Sequence, residues 1–415
     1  MHWREINETE VRQAIAGTLL GKLNDVFASV TKPSLPIEIS LPKALALCGT
    51  ALSQPVTGPT DPTVPRQGIQ LSRVKILSAG GQALNIWALI SAPSSSGKDI
   101  GNVLELVARQ NDWLIGNSGS AEGLADEFEF KGSGLMVIGE LAPYLERKTW
   151  QAQAAHFLTF AFNKGFFQIS LSKRASSKKR ESLYCFPNIV AYVQPAVLEW
   201  HLDPLHTGQG FLPRFLITEV KEEQFNRPVT EAIDLISSAA NIIVPFTKVA
   251  GSITIPEGYM QATLDEIQAS KTAYAAVANR YVNEYGPRIA TILTVDNSTT
   301  EIRFIPEDAW DRANVLVKWF FRNAVEVLSK SEGNAADREK ERRVTKIHSF
   351  ICRHPQCTSA ALAHGTSGSG IMGPERHFIC TELEDRGLIV SERVGGVTVW
   401  KPVPQKTPNS APNST

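Results

Sequence analysis

The sequence predicts an α/β fold built on a parallel sheet, followed by a small C-terminal unit of helices closed by a hairpin. Three runs predict the sheet: residues 85–92, which lead into a turn of small residues and a lysine; residues 134–139, which end at Glu140; and residues 189–193, which end at Gln194 and Pro195. Each is a short, largely apolar stretch bounded by turn residues, as expected of a strand buried on both faces of a parallel sheet. In open parallel sheets ligands bind at the carboxyl ends of the strands, and all three runs carry their polar residues there.

The turn after the first run has small residues that let backbone N–H groups wrap a polyphosphate, then Gly97 and Lys98, whose ammonium suits the outer phosphates. Ser94, Ser95, Ser96, Gly97, Lys98 and Asp99 are therefore the candidate nucleotide-binding residues; ordinary surface turns are also filled by small polar residues. A full P-loop opens on glycine, where this chain has Ala92, and places Ser or Thr after the lysine, where it has Asp99. Glu140, at a strand exit, is placed to orient an attacking water. Position 139, where many ATPases put an aspartate for Mg2+, is glycine, so the metal carboxylate is expected to have moved into the loop at Asp99. Gln194 offers an amide to the γ-phosphate or the lytic water. The cofactors expected are ATP and Mg2+.

The segments that start at Ala92, Gly119, Val137, Val193 and Gly208, the last running through Gly210 to Arg214, together resemble the RecA-like ATPases of phages, prophages and plasmids. The resemblance covers residues 35–328. That family often stands beside primases or is fused to them, and is related to ring-shaped replicative helicases. The resemblance implies a RecA-like P-loop NTPase core with flanking helices, a homo-oligomeric ring such as a hexamer, and a helicase-like ATPase acting on single-stranded or forked DNA in mobile-element replication. A primase or another replication protein is the implied partner. Arg214 enters the run 215–218, where an arginine can reach a nucleotide on the adjacent subunit and act catalytically in trans; the alternative is an ion pair with an acid such as Glu219.

Composition narrows the field. At 415 residues the chain can bury a large core and form two or three domains. Its 42 basic and 42 acidic residues cancel, so any contact with nucleic acid rests on local patches. No apolar run approaches a membrane span and no signal-like segment opens the chain, so a cytoplasmic protein without membrane contact is expected. The 5 cysteines lack framework spacing. Cys352, Cys357, Cys380 and neighbouring histidines permit a zinc reading, but Cys352 and Cys380 fall on the apolar sides of expected helices, which favours core packing.

In chain order, Val11, Ile15, Leu19, Leu23 and Phe27 recur at helical spacing and predict an N-terminal helical arm over 1–30, packed on its own core or on a neighbouring subunit. A helix follows over 41–52, then a proline-rich loop over 54–66. A helix is expected over 143–163, then strands over 166–172 and 182–186. Between these strands lie Lys173, Arg174, Lys178, Lys179 and Arg180, a basic hairpin tip suited to the phosphate backbone of DNA, although edge hairpins also carry lysines against aggregation. Helices over 256–285 and 307–328 complete an ATPase domain spanning 31–328. The aromatic stripe of Trp310, Trp319, Phe320 and Phe321 is expected in the core.

Residues 329–337 read as a linker. Residues 338–403 follow the order of a winged helix: helices over 338–353, 359–363 and 374–386, then a hairpin around Gly395 and Gly396. In such a unit Arg376 and His377 would enter the major groove, although many winged helices bind only protein. The tail 404–415 is expected to be disordered.

Overall fold

The computed structural model describes residues 6–54, 72–77, 82–98, 102–116, 120–145, 150–164, 166–169, 180–184, 186–202, 210–221, 227–228, 232–255, 259, 261–269, 274–366, 371 and 373–403. The chain divides into two compact units, Met1–Ser331 and Glu332–Thr415. The proline-rich loop beyond Gln54, the hairpin tip 170–179 and the tail 404–415 lie outside the described residues.

The first unit is an α/β structure around a five-stranded parallel sheet. Its strands are β1 (Trp87–Ser91), β2 (Leu114–Ile115), β3 (Ser133–Ile138), β4 (Phe186–Val193) and β5 (Leu216–Glu219), in the spatial order β5-β1-β4-β3-β2. The three runs singled out in the sequence are thus adjacent strands, with β4 between β1 and β3. Every residue of β1 and β4 is buried, which explains their unbroken apolar character. Asn188 is the polar exception inside β4; its side-chain oxygen accepts the Ile86 N–H at 2.7 Å.

The helix Ile37–Ser53 starts earlier than the sequence predicts and packs against β1, β3, β4 and β5. Pro42 lies inside it and cannot donate to the carbonyl of Glu38 one turn back. That carbonyl instead accepts the hydroxyl of Thr218 from β5 at 2.6 Å, so a helix irregularity becomes a helix-to-sheet clamp. Apart from Lys43, the helix buries small and apolar residues almost throughout.

Other expected elements also differ. The N-terminal arm is two helices, Glu8–Ile15 and Leu19–Ala28, and it is not a separate domain: Val11, Ile15, Leu20, Leu23 and Phe27 belong to the core of the first unit. Gly17, at φ +75°, ends the first helix, and the Thr18 side chain caps the second by accepting the Gly21 N–H. The predicted helix over 143–163 is observed as Ala142–Leu145 and Trp150–Lys164. The predicted helix over 256–285 is observed as Gln261–Ala269, Ala275–Arg280 and a π-helical turn, Tyr281–Tyr285, that leads into Gly286–Thr294. Pro287 has no N–H for a regular helical bond, and the wide turn lies immediately before it.

The linker expected over 329–337 is helical, because Glu307–Arg353 is one continuous helix. The segment contains no proline, and its single glycine, Gly333, costs a helix only about 1 kcal/mol. Lys330 is fastened to Glu219 at 2.7 Å and to Glu199 at 3.2 Å within the first unit. The aromatic residues Trp310, Trp319, Phe320 and Phe321 are buried, as expected of core positions.

The second unit takes the end of that helix, then a short strand (Cys357–Thr358), the helices Ser359–Gly365 and Gly373–Asp385, and the hairpin Ile389–Val394 with Val397–Pro402. The hairpin turns on Gly395 and Gly396, both at positive φ, as a tight two-residue turn requires. Its second strand also pairs with Cys357–Thr358. Ile347, Ile351, Leu362, Ile379, Leu383 and Trp400 form the core. Cys380 is fully buried, but Cys352 is exposed, contrary to its expected place on an apolar face. Among the described residues no helix is long and apolar enough to cross a membrane.

Candidate functional site

Parallel pairing sends the exits of β1, β3, β4 and β5 to one edge of the sheet. The register fixes their heights: Ser91 pairs with Val193 on one side and with Glu219 on the other, and Ile138 pairs with Ala191. The pairing continues past the strand ends, with the Ala92 N–H on the Val193 carbonyl (3.0 Å) and the Leu141 N–H on the Tyr192 carbonyl (2.9 Å). Strands lie about 4.8 Å apart, so the backbone at Glu140 is about 10 Å from the root of the loop after β1, with Gln194 between them. Lys98, Glu140 and Gln194 are therefore brought to one edge.

The loop itself is compact. Ser94–Ser96 form one turn of 3-10 helix, and the Ser96 hydroxyl donates to the Pro93 carbonyl at 2.7 Å. Gly97 follows at φ +75°, a conformation that glycine adopts without strain, so the predicted glycine has a backbone reason to be there. Lys98 is 4% exposed, and its ammonium donates to the Ala92 carbonyl at the root of the loop, at 3.2 Å. Asp99 lies outside the described residues. The next helix begins at Val103 and not at the lysine; Asn102 precedes it at φ +36° without capping it through its side chain.

Beside the loop is a cavity of about 240 Å3, lined by Lys43, Lys98, Asn102, Val137, Gly139 and Tyr192 among others. Gly139 has open space where a side chain would stand. The first turn of the helix Val103–Gln110 also lines the cavity, with Glu105 as its acidic residue. Two lysines, the first turn of a helix and the carboxylate of Glu105 thus share the lining. Glu140 is exposed at its side of the edge, and one of its oxygens accepts the Ala142 N–H at 3.4 Å. Gln194 is exposed at the start of the helix Pro195–His201, and its side chain makes no capping bond.

Arg214 does not join this set. It ends the short turn Leu212–Arg214 just before β5, whose first residue pairs with Ala88 near the start of β1, so it lies at the opposite, amino edge of the sheet. The side chain is 8% exposed and turned inward: the guanidinium bonds the Gly210 carbonyl and faces the Phe162 ring at 5.9 Å. Burial, together with the neighbouring Arg280, lowers its pKa from 12.5 to about 10. Arg214 does not pair with Glu219 either, because that acid is held by Lys330. Within this chain the guanidinium is turned into packing.

Of the basic hairpin, Lys173, Arg174, Lys178 and Lys179 lie outside the described residues. Its two strands are Phe166–Ile169 and Arg180–Tyr184, paired antiparallel, and Arg180 is a strand residue opposite Ile169. In the second unit His377 is exposed, whereas Arg376 is half-buried and donates to the Ile371 carbonyl at 2.7 Å. The signal for Lys43 in the sequence is a single lysine inside the otherwise uncharged stretch 39–53. Among the described residues no group of three or more His, Cys, Asp or Glu could hold a metal ion. No family model and no curated protein matches this chain.

Proposed function

We propose that the first unit is a RecA-like P-loop ATPase and that the protein is an ATP-dependent DNA-binding motor, helicase- or translocase-like, of mobile-element replication. The observation that carries this reading is the convergence of Lys98, Glu140 and Gln194 from three adjacent parallel strands on one edge, beside a cavity walled by two lysines. Lys98 binds the outer phosphates of ATP, its ammonium exchanging the Ala92 carbonyl for charged oxygens. Glu140 orients and deprotonates the attacking water, and Gln194 holds that water or the γ-phosphate. Bound Mg2+ would neutralise phosphate charge, with Asp99 the carboxylate assigned to it from the sequence. The hairpin carrying Arg174 and Arg180 lies in sequence between β3 and β4, where movement at the nucleotide can pass to DNA.

For the second unit, the order of helix, short strand, two helices and hairpin supports a winged helix, with exposed His377 on its last helix facing DNA or protein. The inward burial of Arg214 favours a second reading of the whole, a winged-helix regulator on an inactive ATPase scaffold, because the motor and a nucleotide-gated DNA-binding initiator both call on that arginine.

The test is ATP binding and turnover in wild type and Glu140→Gln, with and without single-stranded DNA. The variant is expected to keep ATP affinity and to lose turnover by roughly a hundred- to ten-thousandfold, the range for a lost general base. Unchanged turnover would remove Glu140 from catalysis. Strand separation on a forked duplex distinguishes the motor from the initiator.

A further inference from the structure

We infer that Lys43 is a second phosphate-binding lysine of the cavity next to Lys98; this rests on the nucleotide reading above. Lys43 comes from the helix Ile37–Ser53, before the sheet begins, and no P-loop pattern points to it. Its side chain is 5% exposed, and its ammonium donates to the Lys98 carbonyl at 2.6 Å. It also lies 5.5 Å from the centre of the Tyr192 ring, on the strand between the loop strand and the Glu140 strand.

The two ammonium groups therefore sit at opposite ends of the same loop. Lys98 reaches back to the carbonyl of Ala92 at the root, and Lys43 holds the carbonyl of Lys98 at the far end. Both line the 240 Å3 cavity, where Glu105 is the acidic residue among its lining. Like charges that share a poorly solvated cavity repel, and an anion between them turns that repulsion into attraction to a common partner. A carbonyl is a weak substitute for a phosphate oxygen, so each lysine has a bond to exchange when a polyphosphate enters. Lys43 lines the cavity, and the end of its long side chain is at the loop, on the Lys98 carbonyl. The ligand class is the polyphosphate of a nucleoside triphosphate. The cavity is smaller than the roughly 300–1,000 Å3 that encloses a whole drug-sized ligand, which suits a phosphate group better than a base and sugar.

The experiment is calorimetric titration of the full chain with ATP and with inorganic tripolyphosphate, in wild type, Lys98→Ala, Lys43→Met and Lys43→Arg. Lys43→Met is expected to weaken tripolyphosphate binding roughly ten- to hundredfold, the loss of one charge-assisted hydrogen bond. Lys43→Arg should recover part of that loss, which a purely steric role would not predict. Wild-type affinity in Lys43→Met, with Lys98→Ala impaired, would overturn the assignment of Lys43 and leave the nucleotide reading standing. Absence of binding in the wild-type protein would overturn both. Should Lys43→Met fail to fold, the side-chain ammonium resonances of 15N-lysine-labelled wild-type protein decide instead: tripolyphosphate is expected to shift the Lys43 signal together with that of Lys98, and an unmoved Lys43 signal refutes the inference.

Discussion

Replacing Lys98 by methionine should make the ligand-free protein no less stable while abolishing its response to ATP. Lys98 is 4% exposed, and its ammonium has a 3.2 Å hydrogen bond to a neutral carbonyl. A hydrogen bond made by a charged group contributes about 1.5–3 kcal/mol net. Removing an ammonium from water costs several kcal/mol even after the protein relaxes, so a long bond to one carbonyl does not offset it fully. Methionine keeps the unbranched stem and nearly the same volume without the charge. The apo protein should therefore be unchanged or more stable, by less than the roughly 1–4 kcal/mol seen when whole buried ion pairs give way to apolar groups of similar volume. With a phosphate in the cavity the balance reverses, because the ammonium then faces an anion. Wild type should gain about 2.7 kcal/mol in ATP at a hundred times its dissociation constant, and Lys98→Met should gain nothing. Urea denaturation with and without ATP measures both quantities. The reasoning is refuted if the apo variant loses more than about 1 kcal/mol, which would make the ammonium a structural group, or if ATP still stabilises it.

Two further outcomes follow from the same geometry. Arg214→Ala should destabilise the first unit by about 1–3 kcal/mol, since it removes a charged hydrogen bond to Gly210 and the contact with Phe162 while relieving repulsion from Arg280. The folded variant should keep ATP turnover within a few-fold of wild type; a large loss that mixing with Lys98→Ala repairs would show that the arginine acts across a subunit boundary. Glu38→Gln should raise stability at neutral pH and have little effect at about pH 3. Burial raises the pKa of Glu38 above 4.5, with nearby Glu8 adding to the effect. The folded state then holds the proton more tightly than the unfolded state, so stability falls as pH rises from 4.5 through the raised value, and the deficit persists at neutral pH. Denaturation of both proteins at the two pH values measures this, and a neutral-pH stability equal to wild type would contradict it.

The sequence by itself determined the strands that build the site. Residues 87–91, 134–138 and 189–193 are legible because a strand buried on both faces is apolar at nearly every position; the start of β4 at 186–188 is not, because Asn188 interrupts the apolar run. The polar residues at the ends of those runs were legible for the same reason, and Gly97 was legible from the Gly-Lys turn, where its positive φ favours glycine.

What the tertiary structure decided depends on partners far along the chain. The order β5-β1-β4-β3-β2 is set by crossovers and not by local propensity, and it alone places Gln194 between Lys98 and Glu140. The same topology sends Arg214 to the opposite edge, although its local sequence resembled a functional segment. Lys43 reads as one charge in a helix until the sheet closes against that helix and turns the ammonium toward the loop. The break at Gly17 and the continuity of the helix through Gly333 show the limit from the other side. A glycine weakens a helix by about 1 kcal/mol wherever it occurs, and capping and packing, not the glycine itself, settle whether the helix stops there.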